Sequence, residues 1–507
     1  MLEAYTIQEY VSVLAAGGLV TEVEVPPPML RGCEITCLTY DSRAVSPNAM
    51  YICKGVHFRE EYLREAAGRG AVVYVSEKRY DSVDLPYILV RDIRRAMAYL
   101  AIVFFNDAPS RLTSVGITGT KGKSTTAYYV KAILDEFYPK ECAILSSIDN
   151  YDGVSREESH LTTPEAVELH RHFENACESG ISHLVMEVSS QALKYDRVFG
   201  IRFGVACFTN IGTDHISPVE HPDFEDYFAS KLKIFDDCAA ACINTDMEHA
   251  ERVLAYAREK HCRILTFGSH PEDDIFCQSR EKRADGIYFT VRTPAFTRTL
   301  HITMPGMFNV ENALAAVAVA TALKLPPEAI ERGLAEARAP GRMEVFESRD
   351  KRVTVLVDYA HNRMSFDALV RSAEVEYPGK RRIVVFGCPG RKAQLRRRDL
   401  GEMAGLHCDL AILTEEDPGE EPVHKISEEI GAYVAAAGGK YVITDDRGEA
   451  IREAILENGT DKVIFLTGKG RETRQKRGTL YIDTPSDVDF TEKYLAAYDA
   501  AAKPAVR

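Results

Sequence analysis

The sequence contains neither a membrane-spanning segment nor a recognisable secretion signal. It has no run of about 18 apolar residues, the length that a spanning helix needs. Its first residues, MLEAY, show no basic stretch followed by an apolar core. No internal repeat and no low-complexity tract is present. We therefore expect a cytoplasmic protein without membrane insertion.

The chain also has fewer basic than acidic residues. The chain has 62 Lys and Arg against 76 Asp and Glu, a formal net charge of −14. Nonspecific nucleic-acid binding requires a basic surface that releases counterions, so this balance argues against a nucleic-acid partner. A local basic pocket is still compatible with the composition. We predict a small anionic ligand.

The cysteines lack the spacing of a structural metal site. There are 12, and the pairs Cys33/Cys37 and Cys238/Cys242 have no matching second pair of Cys or His. We expect reduced and mostly buried thiols.

The length of 507 residues predicts about three domains at roughly 150 residues each. Residues 1–110 carry short strands such as Ala71–Ser76 and Tyr87–Val90 and end in the linker-like Asn106–Ser110, which predicts a small N-terminal α/β domain. In residues 111–340, apolar strands alternate with helical segments, as in a parallel sheet of the nucleotide-binding kind.

Two further patterns complete this α/β prediction. Gly286–Thr293 and Phe296–Met304 alternate apolar and polar residues and indicate an antiparallel hairpin, and the Ala-rich stretch from Asn309 to Leu323 indicates a helix. After Ala339-Pro340-Gly341 the alternation of strands and helices restarts, with strands expected at Val353–Asp358 and Lys462–Thr467 among others. This pattern predicts a Rossmann-like C-terminal domain over 341–507.

The most informative segment is the glycine-rich turn GITGTKGKSTT at 116–126. A strand is expected over Ser114–Thr118 and a helix from Ser124 through Phe137, so the turn lies at a helix N-terminus, which attracts phosphate. We expect Lys123 to contact the β and γ phosphates of ATP and Ser124 to bind Mg²⁺. The usual G-x-x-x-x-G-K-[ST] spacing is missed, because Ile117 stands where the first Gly belongs, and this indicates a particular subclass.

Several longer strings resemble the Mur ligase family. They are LTTPE at 161–165, MEVSSQA at 186–192, and DHI at 214–216 followed by EHP at 220–222. The likeness spans essentially the whole chain and is greatest to the tripeptide-synthetase branch in its streptococcal form. It implies that an amino acid is joined to the D-Glu carboxylate of UDP-MurNAc-L-Ala-D-Glu, through an acyl phosphate made from ATP. A monomeric enzyme of cytoplasmic peptidoglycan precursor synthesis is the implied context.

The resemblance also implies site residues. The catalytic set is Lys123, Glu187, His215 and Lys231, with Ser124, Glu187, His215 and Lys231 as metal-binding positions and CO₂ carried on Lys231 as a carbamate. ATP would be bound by Gly119, Thr120, Lys121, Gly122, Lys123, Ser124, Thr125, Asn309, Asn312, Arg342, Asp358 and His361, with Asn309 and Asn312 at the adenine. The UDP-muramoyl dipeptide would contact Ser42 on its uracil side and Thr162, Thr163, Ser189 and Arg197 on its muramoyl-peptide side.

Each of these assignments has a plainer alternative on the residues alone. Glu187 is also a possible capping carboxylate, His215 a core histidine, Lys231 a solvated helix lysine and Asn309 an N-cap. The motif context favours the functional interpretation. Because Arg342, Asp358 and His361 come from the C-terminal part of the chain, a lid-like closure onto ATP is implied.

The incoming amino acid is expected to bind the C-terminal domain. Relatives that add meso-diaminopimelate carry Asp-Asn-Pro-Arg, whereas the matching stretch here, TEEDPGEEP at 414–422, has no arginine and several acids. A carboxylate rim favours a cationic side-chain end, so L-lysine is our first choice, with ornithine and meso-diaminopimelate as alternatives. A solvated acidic loop is the plainer interpretation. The expected amino-acid contacts are Arg391, Lys392, Glu416, Asp417, Gly468 and Glu472; whether Arg391 or Lys392 takes the α-carboxylate is open.

Two other functions compete. A ligase similar to folylpolyglutamate synthetase shares the phosphate loop and the modified lysine, and a catalytically silent homologue would bind the nucleotide sugar only. The strings at 161–164 and 41–43 and the N-terminal domain disfavour the first, and the intact metal and phosphate machinery disfavours the second.

Overall fold

A computed structural model describes residues 4–55, 58–213, 216, 220–391, 394–457, 459 and 461–501 of the chain. Three sheets, each covered by helices, follow one another along it. Within those ranges, no helix has the length and apolar character required to cross a bilayer.

The N-terminal region forms a five-stranded sheet in the order β2-β7-β6-β5-β4, beside a small pair, β1 and β3. Helices α1 and α4 cover one face of this sheet with an apolar core that includes Tyr10 and Met97, and α3 covers the other through Leu63. The elements are β1 Tyr5–Thr6, α1 Ile7–Ala16, β2 Val20–Glu24, α2 Pro27–Gly32, β3 Glu34–Ile35, β4 Cys37–Thr39, β5 Ala49–Ile52, α3 Glu60–Arg69, β6 Ala71–Ser76, β7 Tyr87–Val90 and α4 Ile93–Phe104.

The central region forms an eleven-stranded sheet in the order β11-β10-β9-β12-β8-β13-β14-β15-β16-β17-β18. Its elements are β8 Thr113–Thr118, α5 Lys123–Phe137, β9 Ala143–Leu145, β10 Asp149–Tyr151, β11 Arg156–Glu158, α6 Ala166–Glu178, β12 His183–Glu187, α7 Ser190–Lys194, β13 Phe203–Phe208, α8 Phe224–Leu232, β14 Cys238–Asn244, α9 Ala250–Glu259, β15 Arg263–Gly268, β16 Ile275–Arg283, β17 Gly286–Arg292, β18 Thr297–Ile302, α10 Asn309–Ala322 and α11 Pro327–Glu336.

This central sheet is mixed rather than purely parallel. Strands β9, β12, β8, β13, β14, β15 and β16 run parallel. The outer strands β10, β11, β17 and β18 add antiparallel edges. The parallel strands are nearly continuous apolar runs because helices cover both faces: α5, α10 and α11 on one, α6 to α9 on the other.

The C-terminal region forms a six-stranded sheet in the order β19-β20-β24-β21-β22-β23, antiparallel only at β19. A separate hairpin, β25 and β26, follows it. The elements are β19 Glu344–Glu347, β20 Val353–Asp358, α12 Arg363–Glu376, β21 Arg381–Phe386, α13 Gln394–His407, β22 Leu410–Leu413, α14 Val423–Ala436, β23 Tyr441–Ile443, α15 Arg447–Leu456, β24 Lys462–Thr467, β25 Arg474–Arg477, β26 Leu480–Asp483 and α16 Asp487–Ala501.

The three-part α/β architecture expected from the sequence is confirmed. The predicted strands at 71–76, 87–90, 353–358 and 462–467 have the predicted bounds. The predicted hairpin is β17 and β18, and it extends the central sheet instead of standing apart, because β16, which the pattern did not indicate, pairs with both β15 and β17. The domain boundaries at 110 and 340 stay predictions.

Candidate active site

The glycine-rich turn connects β8 to α5 at the carboxyl end of the parallel strands. Gly122 has φ +79°, and a Cβ there would lie 2.1 Å from Asn312 Oδ1 of α10. Only glycine therefore allows this close approach of the turn to α10. The Nζ atom of Lys123 folds back over the turn and donates to the carbonyl oxygens of Gly119 (3.0 Å) and Thr120 (3.4 Å). The lysine thus lies where nucleotide phosphates would meet it.

A second segment, 209–212 after β13, supports the turn from behind. Asn210 Oδ1 accepts from the Lys121 N–H (2.8 Å), and Asn210 Nδ2 donates to the Lys121 carbonyl (3.0 Å). The Thr120 hydroxyl accepts from the Gly212 N–H (3.0 Å). The Lys121 backbone N–H, expected among the ATP contacts, is therefore engaged by Asn210 in this structure. No local sequence pattern indicated Asn210.

A carboxylate and two hydroxyls form an oxygen-rich corner beside the turn. β12 pairs with β8 so that Glu187 lies opposite Ile117, as expected for a strand next to the phosphate loop. Glu187 is buried, and its Oε1 accepts from the backbone N–H (2.7 Å) and the hydroxyl (3.1 Å) of Ser147. The Ser147 hydroxyl also lies 3.1 Å from Ser124 Oγ. Ser147 was not predicted, because it follows a short strand without a motif of its own.

This corner fits a hard divalent cation. Mg²⁺ prefers oxygen ligands and is often held by one or two carboxylates together with phosphate oxygens and waters. Glu187, Ser124 and Ser147 supply one carboxylate and two hydroxyls within hydrogen-bonding distance of one another. In the described part of the chain, no group of three His, Cys, Asp or Glu side chains is placed to hold a metal. The predicted ligand His215 lies outside the described residues.

Lys231 is buried next to the turn, as a solvated helix lysine would not be. Only 2% of it is exposed, and its Nζ donates to the Gly119 carbonyl over 2.8 Å. The same Nζ lies 4.8 Å from the centre of the Tyr227 ring. Lys233, two residues further along the chain, is exposed and is therefore the solvated kind of lysine that the alternative interpretation of Lys231 required.

Of the two expected adenine contacts, Asn312 reaches the cavity described below and Asn309 does not. Asn309 is the first residue of α10 rather than its N-cap, and its amide donates to the Pro305 carbonyl over 2.6 Å. Asn312 donates to Asn309 Oδ1 over 2.9 Å. Asn309 is buried behind it.

Arg342, just before β19, joins the C-terminal region to the phosphate turn. Its Nη2 donates to the hydroxyls of Ser124 and Ser147, each over 3.2 Å, and its guanidinium lies 4.5 Å from the centre of the Tyr359 ring. Burial raises the pKa of Asp358, while Arg342 opposes that shift. His361 Nδ1 lies 2.7 Å from the Tyr359 carbonyl oxygen.

A cavity of about 930 Å³ runs from the turn to the C-terminal sheet. It brings together these predicted residues: Thr120, Lys121, Gly122, Lys123, Ser124, Thr125, Thr162, Glu187, Asn312, Arg342, Asp358, His361, Arg391, Glu416, Asp417 and Gly468. Arg396, Lys476 and Tyr481, which were not predicted, line it as well. A nucleotide site and the carboxyl ends of the C-terminal strands therefore share one space.

The acidic run at 414–422 is not an unbalanced carboxylate rim. Glu415 pairs with Arg477 (2.7 Å), Asp417 with Lys469 (3.2 Å), Glu420 with Arg391 (2.5 Å) and Glu421 with Arg397 (2.7 Å). The expectation of a carboxylate rim is therefore corrected: cations on β25, on α13, in the loop before α13 and in the loop after β24 pair with four of the five acids.

Glu416 is the exception. It is buried against the cavity, and no ion pair to it is found among the described residues. Burial raises its pKa from 4.5 to about 7, against the opposing influence of Arg447, Arg396 and Lys469. The carboxylate lies over Gly468, whose φ is +98° and where a Cβ would fall 2.2 Å from Glu416 Oε2.

The remaining amino-acid contacts are already partnered. Arg391 is exposed and held by Glu420, and Glu472 forms an ion pair with Lys469 over 2.5 Å. Lys392 lies outside the described residues. Arg391 lines the cavity while its guanidinium is held by Glu420, so the choice of the α-carboxylate contact stays a prediction.

The expected nucleotide-sugar contacts come from both the N-terminal and the central region. Thr163 Oγ1 donates to the Glu187 carbonyl (2.9 Å), and Ser189 caps α7 by accepting from the Ala192 N–H (3.1 Å). Arg197 donates to the Thr163 carbonyl over 3.2 Å. Ser42 belongs to the N-terminal region, where its hydroxyl donates to Glu65 over 2.8 Å.

Comparison with known proteins agrees with this arrangement. The family model of the Mur ligase middle domain matches residues 117–320, and that of the Mur ligase glutamate ligase domain matches residues 341–470. The chain is 37% identical over 463 residues to the UDP-N-acetylmuramoyl-L-alanyl-D-glutamate–L-lysine ligase of Enterococcus faecalis, with 90% of each chain covered. The chain belongs to the Mur ligase family.

Membership makes this chain an ATP-dependent ligase of cell-wall synthesis. A second relative of this Mur ligase, the UDP-N-acetylmuramoyl-L-alanyl-D-glutamate–L-lysine ligase of Streptococcus agalactiae, is 37% identical over 461 residues, covering 90% of this chain and 92% of the relative. The solved structure of a UDP-N-acetylmuramoyl-L-alanyl-D-glutamate–2,6-diaminopimelate ligase matches with a TM-score of 0.65 at 22% identity, over 98% of this chain and 99% of that one. That structural likeness concerns the fold.

Proposed function

We propose that this Mur ligase joins an L-diamino acid, with L-lysine as first choice, to the D-Glu carboxylate of UDP-MurNAc-L-Ala-D-Glu in cytoplasmic peptidoglycan precursor synthesis. The relatives that carry this name cover about 90% of the chain at 37% identity. The observation that carries the proposal is that the phosphate turn and buried Glu416 line the same cavity.

In the proposed reaction, a D-Glu carboxylate oxygen attacks the γ-phosphorus of ATP, and the bond to ADP breaks. The amine then attacks the resulting acyl phosphate at carbon, phosphate leaves with the bonding pair, and the amine loses a proton. Charge accumulates on phosphate oxygens in both steps, so positioning and cationic stabilisation matter more than a protein nucleophile. Lys121, Lys123 and Arg342 are cationic residues that line that end of the cavity and support this role.

The metal corner would serve the same purpose. Ser124, Ser147 and Glu187 would hold Mg²⁺, with His215 and carbamylated Lys231 as the further positions that the family resemblance implies. When bound, the ion would neutralise phosphate charge. The protein's own contribution is to keep the Glu187 carboxylate buried and oriented by two donors from Ser147.

Glu416 supports a diamino acid as the acceptor. A buried carboxylate facing a cavity attracts an ammonium group, and binding such a group would offset the cost of its own burial. The α-ammonium or the distal ammonium of lysine or ornithine would satisfy it. Meso-diaminopimelate stays the alternative, because Arg396 and Lys476 also line the cavity and suit carboxylates.

In this proposal, each of the three regions binds one substrate. We assign nucleotide-sugar binding to residues 1–110, ATP binding to 111–340 and amino-acid binding to 341–507. A folate-type ligase and a silent sugar-binding homologue fit less well, since both relatives are named for the muramoyl substrate and Lys123, Glu187 and Lys231 converge on one turn.

The test is phosphate release from ATP with UDP-MurNAc-L-Ala-D-Glu and one amino acid at a time: L-lysine, L-ornithine or meso-diaminopimelate, with the product mass measured. Turnover with L-lysine alone supports the full proposal. Turnover only with meso-diaminopimelate keeps the ligase and refutes the lysine assignment. No turnover with any of the three, with retained binding of the nucleotide sugar, favours the silent homologue.

A further inference from the structure

A buried charge cluster connects the N-terminal and central regions away from the phosphate turn. Lys54, just after β5, forms an ion pair with Glu165 at the start of α6 over 2.6 Å. The other oxygen of Glu165 pairs with Arg197 over 2.8 Å. Only 13% of the side chain is exposed in each cation and 14% in the carboxylate. One carboxylate thus holds two cations that come from different regions of the fold.

The cluster lies between the two ends of the expected nucleotide-sugar site. On one side, Lys54 Nζ lies 4.8 Å from the centre of the Tyr40 ring, two residues before Ser42. On the other side, Arg197 donates to the Thr163 carbonyl. Ser42 is the expected uracil-side contact and Thr163 an expected muramoyl-peptide contact, so Lys54 occupies the interval between them. In a UDP-sugar, the diphosphate occupies the corresponding interval.

The two cations of this cluster share one carboxylate as their ion-pair partner. Lys54 and Arg197 both pair with Glu165. Glu168, one turn further along α6, is hydrogen-bonded to Tyr40, and burial raises its pKa. Burial lowers the pKa of Lys54. Two largely desolvated cations that share one ion-pair partner are stabilised further when another anion joins them.

We infer that Lys54 is a further substrate-binding residue, whose ammonium group contacts an anionic group of the nucleotide sugar, its diphosphate or a peptide carboxylate. This inference rests on the proposed function. Glu165 then balances the charge of Lys54 and Arg197 in the protein alone and competes with the substrate for their donors. Lys54 would share its donors between Glu165 and the substrate oxygen, since an ammonium group has three.

Removing Lys54 is not expected to detach the N-terminal region, because other contacts join the same two regions. Arg95 of α4 forms an ion pair with Asp196 over 3.0 Å and stacks on the Phe199 ring. Tyr99 lies 4.9 Å from the same ring, centre to centre. A change in affinity in a Lys54 variant therefore reports on the substrate contact.

The experiment is calorimetric binding of UDP, UDP-MurNAc and UDP-MurNAc-L-Ala-D-Glu to the full-length wild-type protein and to Lys54→Met. Losing one charge-assisted hydrogen bond predicts an affinity about 10- to 100-fold lower for the full substrate. An equal loss for UDP identifies the diphosphate as the partner, whereas a loss confined to the dipeptide compound identifies a carboxylate. ATP affinity is expected to stay unchanged.

Two further variants separate substrate contact from a structural role. Lys78→Met is the matched control, since exposed Lys78 of the same region also lies over a tyrosine ring, at 5.0 Å from Tyr80, and binding is expected to stay at the wild-type level. Glu165→Gln frees both cations and should keep or tighten binding. If Lys54 and Glu165 were only structural, both of their variants would weaken binding together.

The outcomes discriminate between the inference and the proposed function. If the wild type binds the UDP-muramoyl dipeptide and Lys54→Met binds it equally well, the inference is overturned while the proposed function stands. If the wild type binds none of the three compounds, both are overturned.

Discussion

The ammonium groups of Lys123 and Lys231 donate to one acceptor, the carbonyl oxygen of Gly119, over 3.0 and 2.8 Å. One lysine belongs to the phosphate turn and the other to α8. Two cations on one carbonyl repel each other, so the arrangement favours an arriving anion. A carbamate on Lys231 would replace the ammonium cation with an anionic group, which removes that repulsion, and would leave one N–H on Nζ that can still donate to the same carbonyl.

We predict that Lys231→Ala reduces ligase turnover by about 100-fold or more, the size expected when a ligand of a catalytic metal is lost. Phosphate release measured at saturating substrates checks this. Excess bicarbonate with a short primary amine should restore part of the activity, because the two can form a carbamate in the vacated space. Lys233→Ala, at an exposed lysine two residues on, is the control and should keep full activity. Full activity in Lys231→Ala would refute the carbamate.

Ser147→Ala should raise the KM for Mg-ATP by about 3- to 10-fold, as expected for one lost hydrogen bond. The Ser147 hydroxyl contacts both Glu187 and Ser124, so its removal loosens the corner proposed for the metal. Titration of activity with Mg²⁺ at fixed ATP measures the effect. Ser110→Ala, at an exposed serine before β8, is the comparison. An unchanged Mg²⁺ requirement in Ser147→Ala would place the metal elsewhere.

The strands that could be predicted are those whose own sequence shows a recognisable hydrophobic pattern. Buried parallel strands such as Lys462–Thr467 are apolar throughout and were bounded correctly. β16 was missed because six of its nine residues, from Gln278 to Arg283, are exposed and polar, and it is specified by pairing with β17 rather than by its own sequence. The antiparallel strands β17 and β18 join the central sheet through β16, and no local pattern indicated this connection.

Site residues that belong to a sequence motif could be predicted. Those whose role depends on partners distant in sequence could not. The turn residues at 120–125 and Glu187 line one cavity, as expected for a strand that ends beside the phosphate turn. The acidic run was misread, because its partners Arg477 and Lys469 lie more than fifty residues away in sequence. Ser147 and Asn210 carry no pattern at all; only the register of β9, β12, β8 and β13 brings them to the turn.

Gly468→Ala should raise the KM for the amino acid by about 10-fold or more, because the new Cβ would lie 2.2 Å from Glu416 Oε2 and displace that carboxylate. The backbone at φ +98° adds a stability cost of about 1–2 kcal/mol for a non-glycine residue.

Gly438→Ala is the matched control for this change. Its φ is +85°, yet nothing lies within 4 Å of the position that a Cβ would take. Thermal unfolding should show a similar loss of stability in both variants, and steady-state kinetics a raised KM in Gly468→Ala alone. Equal KM values in the two would mean that Glu416 does not bind the amino acid.

The raised pKa of Glu416 predicts a pH dependence. Since that pKa is about 7, the group is largely protonated at pH 6 and charged at pH 8, so the KM for the amino acid should fall as pH rises through 7. In Glu416→Gln the KM should be about 10-fold higher at pH 8 and should lose this step. Glu428→Gln, at an exposed position of α14, should behave as the wild type.

The same group predicts the opposite trend for stability without ligand. Between its ordinary pKa of 4.5 and about 7, Glu416 holds a proton in the folded chain that the unfolded chain has released. Its contribution to the free energy of unfolding therefore declines as pH rises across that window. Urea unfolding at pH 5 and pH 8 should show a smaller decline in Glu416→Gln than in the wild type, because the amide does not titrate. A KM step that survives in Glu416→Gln, together with an unchanged decline in stability, would assign both titrations to another group.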